Sequence, residues 1–200
     1  MNEYAEQYSF IIITDNKEPA KLQRLINSIE AQNFPTVEII VVRDEKHEGK
    51  LGALRNAGCE QAQYYRMIVM DDDMILHRDF YPGLQKFYSQ NMGARVFSCR
   101  ILNPDNTRYW DWKAYADGKN WLLDYGETSD EVSMTGGLCI FDKGVFKDVQ
   151  WDGTRGFNQE EDVDFSNRLK SHGYQIMFNP WSTITHDANY TQVGIGVIKT

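Results

Sequence analysis

Phe10-Ile11-Ile12-Ile13-Thr14-Asp15-Asn16, Val37-Glu38-Ile39-Ile40-Val41-Val42-Arg43-Asp44 and Met67-Ile68-Val69-Met70-Asp71-Asp72-Asp73 share one pattern: a short apolar run that stops at hydroxyl or acidic residues. Runs of this length, rich in β-branched side chains, predict buried strands rather than helices. Between the first two, after Pro19, residues Leu22, Leu25, Ile26 and Ile29 follow the i, i+3, i+4, i+7 spacing of an amphipathic helix. Between the second and third, Leu51, Leu54 and Ala57 mark a shorter helix, with Gly58 placed to end it. Strands alternating with helices predict a parallel, right-handed α/β unit. In such sheets ligands collect beyond the carboxyl ends of the strands. Thr14, Asp15, Asp44 and Asp71 to Asp73 should therefore converge on one edge.

Farther along, the pattern predicts a helix at Phe80 to Gln90 and strands near Arg95 to Leu102 and at Leu138 to Phe141, with a lobe of mixed structure between them. A helix from Glu160 should stop at Gly173, and two short strands, near Gln175 to Phe178 and Ser182 to Thr185, should follow. No repeat or linker divides the chain, so one domain over 1–200 is expected. Its 200 residues, 42% hydrophobic and 13% aromatic, suffice for a packed interior. Twenty-nine acidic against 21 basic residues, a net charge of -8, argue against nucleic acid as a partner. Cys59, Cys99 and Cys139 have neither disulfide nor zinc-knuckle spacing and suit a reducing cytoplasm. The polar start at Met1 lacks signal-peptide character, and no run suits a membrane span. The apolar tail Val193 to Ile198 fits a terminal strand or a peripheral membrane contact.

Consecutive carboxylates at a strand end repel one another unless they are solvated or neutralised, and a divalent cation neutralises them. Asp71 and Asp73, two apart on an extended chain, can face one site, with Asp72 turned away or toward a donor sugar. Their hard oxygens suit Mn²⁺ or Mg²⁺, which also bind diphosphate. His186, where the last strand should end, is a candidate third ligand, weighed against a histidine merely hydrogen-bonded nearby. A second acidic cluster, Glu160-Glu161-Asp162-Val163-Asp164, opens a helix; its carboxylates either complement the helix dipole or act as a positioned base. Asn158 is placed to cap that helix. Lys50 and Arg55 can meet phosphate or pair with acids. The five tryptophans suit core packing, with Trp110 and Trp112 also candidates for an acceptor site, while His47, His77 and His172 look structural.

Read in order, the segment from Ser9 to Asp73, with Gly-Lys-Leu-Gly-Ala-Leu-Arg-Asn-Ala-Gly and Val-Met-Asp-Asp-Asp, resembles the nucleotide-binding half of family 2 glycosyltransferases. Met-Thr-Gly-Gly-Leu-Cys-Ile-Phe, Arg-Gly-Phe-Asn-Gln-Glu-Glu-Asp-Val-Asp-Phe-Ser-Asn-Arg-Leu and His-Gly-Tyr-Gln-Ile resemble its acceptor half. The resemblance implies a GT-A-like (Rossmann-like) α/β fold: a mixed sheet, mostly parallel in the N-terminal half, flanked by helices. It implies a donor half over about 8–102 and an acceptor half over about 103–200. It also implies a nucleoside diphosphate-sugar donor, commonly UDP-linked, and an acceptor hydroxyl on a carbohydrate or other molecule. Thr14, Asp15, Asp44, Lys50, Arg55, Asp71 and Asp72 would line the donor site, and Asp71, Asp73 and His186 would hold the metal. Asp162, the second member of the Glu-Asp pair, would be the base, with Glu161 next. Ile13 and Asp15 stand where the family usually has proline and an aromatic residue. The Gln-x-x-Arg-Trp signature of processive synthases is absent, so the resemblance implies transfer of single sugars with inversion. The alternatives are a retaining transferase on the same fold and a nucleotide-sugar-binding protein without turnover.

Overall fold

The computed structural model describes residues 6–46, 48–156 and 159–187. The predicted run of strands and helices is present: β1 (Gln7–Thr14), α1 (Pro19–Glu30), β2 (Thr36–Arg43), α2 (Leu51–Gln61) and β3 (Arg66–Asp71). After these come β4 (Met74–Leu76), α3 (Phe80–Gln90), β5 (Val96–Leu102), β6 (Lys113–Ala116), β7 (Lys119–Leu122) and β8 (Val132–Ser133). The chain continues through β9 (Leu138–Asp142), α4 (Lys143–Asp148), α5 (Glu161–Ser171) and β10 (Ile176–His186).

Seven strands form one sheet in the order β2-β1-β3-β9-β5-β10-β4, and β7-β6-β8 form a small second sheet. β1 lies parallel to both β2 and β3, as the alternation with helices requires. β9 is inserted antiparallel between β3 and β5. The alternation along β1 builds two cores. Phe10 and Ile12 point to the face covered by Leu22 and Leu25 of α1 and Phe80 and Leu84 of α3. Ile11 and Ile13 point to the opposite face, packed with Val145 of α4 and Phe165 and Leu169 of α5. Each such fully buried aliphatic or aromatic side chain contributes about 1.5–3 kcal/mol relative to exposure.

Three expectations change. Gly58 does not end α2, which runs on to Gln61; a Cβ there would stand 2.3 Å from Ile11 Cγ2, so glycine lets the helix lie close on β1. The two short strands expected near the carboxyl end are one strand, β10, with a register shift between Asn179 and Thr183. Pro180 cannot donate to a ladder, and Asn179 spans the irregularity by donating to Ser182 Oγ at 2.8 Å and accepting from the Trp181 N–H at 3.0 Å. The N-cap of α5 is Glu160, in the left-handed region at φ +55° and without a side-chain cap. Asn158, His47 and the tail Val193 to Ile198 lie outside the described residues. The elements missed in the sequence, β4 and α4, are too short to show a period.

Candidate active site

β3 ends at Asp71, and the chain turns through Asp72 and Asp73 before β4. Asp72 and Asp73 lie in a turn rather than in extended strand, so the three side chains go different ways. Asp71 accepts from Arg55 Nη2 at 3.3 Å. Burial pushes its carboxyl up to about 6; Arg55 opposes this, while Asp73 and Glu161 add to it. Asp72 turns to β1 and accepts from the Thr14 hydroxyl. Burial raises Asp72 above the usual carboxylate range, and that hydrogen bond works against the shift. Asp73 faces β10, where its Oδ2 lies 3.1 Å from His186 Nε2. β4 brings about that meeting, because it pairs His186 with Met74, the residue after Asp73. The Asp73 carbonyl also accepts the Asp187 N–H at 2.6 Å, and Asp187 pairs with Arg24. Tyr109 packs its ring 4.2 Å from that of His186.

The second cluster approaches from the other face of the sheet. Glu161, the first residue of α5, accepts from Arg55 Nη1 at 2.7 Å. Arg55 is 1% exposed and also donates to the Gly136 carbonyl at 3.0 Å. One buried guanidinium therefore joins the end of β3, the turn before β9 and the start of α5. Gly136 permits the contact, because a Cβ there would stand 2.8 Å from Glu161 Oε1 and 3.1 Å from Arg55 Nη2. Asp162 Oδ2 accepts from Lys113 Nζ at 2.8 Å and from the Gly136 N–H at 3.2 Å. Tyr115, two residues beyond Lys113 on β6, donates to Glu160.

The remaining sequence candidates are more scattered. The Asp44 N–H donates to the Thr14 carbonyl at 2.9 Å, so the first two strand ends do converge. The Asp44 carboxylate, however, takes the N–H groups of Glu48 and Gly49 at 3.1 and 2.7 Å and shapes its own loop. Thr14 is 2% exposed with its hydroxyl spent on Asp72. Asp15 pairs with Lys17 at 2.5 Å, and Lys50 pairs with Glu48 at 2.9 Å in an exposed contact. Of the two options open for Arg55, the structure selects pairing with acids. Trp112 is buried, with Nε1 donating to the Glu127 carbonyl at 2.9 Å, and Trp151 stacks 3.8 Å from Phe165 in the core. Sequence reading missed Lys113, Tyr115 and the contact role of Gly136. The alternation of Lys113 and Tyr115 was the only signal, and it lay in a lobe with no clear period.

Among the described residues no three His, Cys, Asp or Glu side chains form a metal cage. The donor chemistry nevertheless fits a hard divalent cation. Asp73 Oδ1 is buried and accepts no hydrogen bond among the described residues, and its other oxygen lies against the His186 imidazole. Mg²⁺-type sites commonly use one or two carboxylates and take their remaining oxygens from substrate phosphates. A separate cavity of about 750 Å³ is lined by Trp112, Asp130, Lys170 and Tyr174 at the far end of α5. It holds none of the clustered carboxylates.

An open α/β sheet with acidic groups gathered at its carboxyl edge, an antiparallel strand inserted beside them and an acidic helix start opposite is a GT-A glycosyltransferase architecture. The family described as "Glycosyltransferase like family 2" matches residues 2–193, and the chain belongs to that family of sugar-transferring enzymes. No match was found among curated proteins. Among solved structures, one of GalNAc-T7 with UDP, GalNAc and Mn²⁺ is similar, at 17% identity and TM-score 0.69 over 92% of this chain and 44% of that one. S. aureus TarS 1–349 is similar at 16% identity and TM-score 0.60, over 88% of this chain and 60% of that one. A Drosophila β1,4-galactosyltransferase 7 variant complexed with manganese, UDP-Gal and xylobiose is similar at 14% identity and TM-score 0.63, over 92% of this chain and 71% of that one. The chain thus spans about half the length of the first two, and these likenesses concern the fold.

Proposed function

We propose that this chain transfers a single sugar, with inversion, from a nucleoside diphosphate-sugar, UDP-linked, to the hydroxyl of a carbohydrate or other acceptor. Residues 8–102 supply most of the donor site and 103–200 most of the acceptor site. One observation carries the reading: Arg55 ties Asp71, at the end of β3, to Glu161, at the start of α5, so one buried guanidinium joins both carboxylate clusters. The UDP and Mn²⁺ complexes of the similar structures support it. The three buried free thiols, Cys59, Cys99 and Cys139, support a cytoplasmic setting.

Asp71, Asp73 and His186 would hold Mn²⁺ or Mg²⁺. When bound, such a cation neutralises charge on a departing diphosphate. Asp162 takes the proton as the acceptor O–H bond breaks. The freed oxygen bonds to the anomeric carbon while the bond from that carbon to the diphosphate oxygen breaks, its electron pair leaving with UDP. Glu161 is committed to Arg55 and acts as the strut that fixes the start of α5. Asp44 shapes the loop bordering the nucleotide, and Thr14 locks Asp72.

The test is UDP release from a panel of UDP-sugars, with and without Mn²⁺ and candidate acceptors. The wild type should release UDP in a metal-dependent way. Asp162→Asn should keep donor binding while transfer falls by about two to four orders of magnitude. Near-normal transfer by that variant would remove Asp162 as base and leave the helix-dipole account of the cluster. Tight Mn²⁺-dependent UDP binding without turnover on any acceptor would point to a binding protein instead.

A further inference from the structure

The first turn of α5 is held from outside by a strand that belongs to the other sheet. Lys113 and Tyr115 sit at i and i+2 on β6 and so project from one face of it. Lys113 Nζ meets Asp162, and the Tyr115 hydroxyl meets Glu160. Lys113 is 7% exposed, and Asp162 is its only hydrogen-bond partner among the described residues. A buried ion pair of this kind adds little net stability, since removing two charges from water offsets their attraction. A lysine stem could have been replaced there by an apolar side chain without loss of packing. Its ammonium is better accounted for by what it does to the carboxylate.

The Asp162 carboxylate accepts three hydrogen bonds, which leaves one of its roughly four acceptor positions for a proton. Oδ1 accepts the Val163 N–H at 2.9 Å, while Oδ2 accepts Lys113 at 2.8 Å and Gly136 at 3.2 Å. Two of these donors are backbone groups of segments fixed by the Arg55 hub. Lys113 is the side-chain donor, and it arrives from the β6 sheet. An ammonium has three donors, and Asp162 uses one of them. The remaining two have no acceptor in the described protein, so they are free to meet an oxygen of a molecule bound beside Asp162.

We propose that Lys113 is a positioning residue for transfer: it fixes the rotamer of Asp162 and uses its remaining N–H donors to seat an uncharged oxygen of the acceptor next to that carboxylate. This rests on the reading of Asp162 as the base. The choice of an uncharged oxygen follows from the surroundings, since Glu160 and Glu161 flank Asp162 and would repel an acidic acceptor group. The inference locates acceptor recognition in the small sheet rather than at the large cavity beyond α5. Misplacing a reacting group by about 1 Å can cost a hundredfold in rate, so loss of this contact should act on turnover and acceptor use while leaving the donor side intact.

The experiment compares Lys113→Met, Lys113→Arg, Asp162→Asn and the Lys113→Met/Asp162→Asn double variant. UDP binding with Mn²⁺ is read by calorimetry, transfer by UDP release, and the position of the Asp162 carboxylate by crystallography of each single Lys113 variant. Lys113→Met should bind UDP within about twofold of wild type, lose about tenfold to a hundredfold in kcat with donor KM unchanged, and raise acceptor KM. Lys113→Arg should recover most of the loss. In the Asp162→Asn background Lys113→Met should lower kcat little further, because that effect passes through the missing carboxylate, while acceptor KM still rises. Wild-type kcat in Lys113→Met, or an additive loss in the double variant, overturns the proposal even if Asp162→Asn is inactive. If Asp162→Asn transfers normally, the assignment of the base fails instead. Should Lys113→Met not fold, Lys113→Arg decides through its crystal structure: Asp162 in place and touched by the guanidinium supports the proposal, and an unmoved Asp162 with no guanidinium contact overturns it.

Discussion

Arg55→Met tests the joint between the two halves of the site. The substitution keeps much of the volume of the side chain and removes its charge. Arg55 is 1% exposed, and its partner Glu161 has a side chain 10% exposed, at 2.7 Å. Breaking such a buried pair by removing one member costs about 3–5 kcal/mol, because the other charge is left unpaired. The contact with Asp71 adds little: it is longer, 3.3 Å, and that side chain is 35% exposed, so water screens it. An expected loss of about 3–4 kcal/mol follows for the single variant. For a chain of this length that lowers Tm by roughly 10 °C, a large share of the 5–15 kcal/mol typical of a folded domain. Arg55→Met/Glu161→Gln removes both charges of the closer pair and leaves a neutral amide where the single variant leaves an unpaired carboxylate, so about 2 kcal/mol should return. Urea unfolding at neutral pH, followed by fluorescence, gives both values. A cost below about 1 kcal/mol for Arg55→Met, or a double variant no more stable than the single, would falsify the view that a buried guanidinium holds these elements together.

Other perturbations separate chemistry from scaffold. Asp73→Asn and His186→Ala should each weaken Mn²⁺-dependent UDP binding by about tenfold to a hundredfold with Tm little changed; equal binding by titration calorimetry would exclude that side chain from the metal. Gly58→Ala, which in an open helix would stabilise by about 1 kcal/mol, should instead destabilise by about 1–3 kcal/mol, since the new methyl meets Ile11 at 2.3 Å. A raised urea midpoint would show that the helix can move away at no cost. Asp142 tests pH dependence: its burial opposes the charged form, but two hydrogen bonds from Arg95 at 2.7 and 2.8 Å and the Val145 N–H outweigh it, and the carboxyl lies below its usual value. A depressed carboxyl contributes stability above its unfolded pKa and loses it as pH falls through the folded one. Asp142→Asn should therefore cost about 2 kcal/mol at neutral pH and progressively less below about pH 4; a cost independent of pH would show that the carboxylate charge contributes nothing.

The strands ending at Thr14 and Asp71 were legible in the sequence because buried parallel strands must be continuous apolar runs, and β2, half-buried at the sheet edge, was legible through its β-branched run. The helix at Pro19 to Glu30 was legible for the same kind of reason, through its apolar spacing. Their order implied the sheet edge where the acids gather, and the same residues carried the family resemblance. Sequence alone did not reveal which acid meets which base. Arg55 and Glu161 are 106 positions apart and Asp73 and His186 are 113 apart, and no local period links such pairs. Gly58 read as a helix stop because glycine serves both at helix ends and where backbones nearly touch; only the distance to Ile11 separates the two. Lys113 gave only the faint signal of its alternation with Tyr115, because β6 is four residues long and lies in a second sheet. The sequence by itself determined which residue types stand at the ends of the strands, since burial and periodicity act along the chain. Tertiary structure alone decided which charges are paired and which oxygen of Asp73 has no partner among the described residues, because those depend on distances set when distant segments pack.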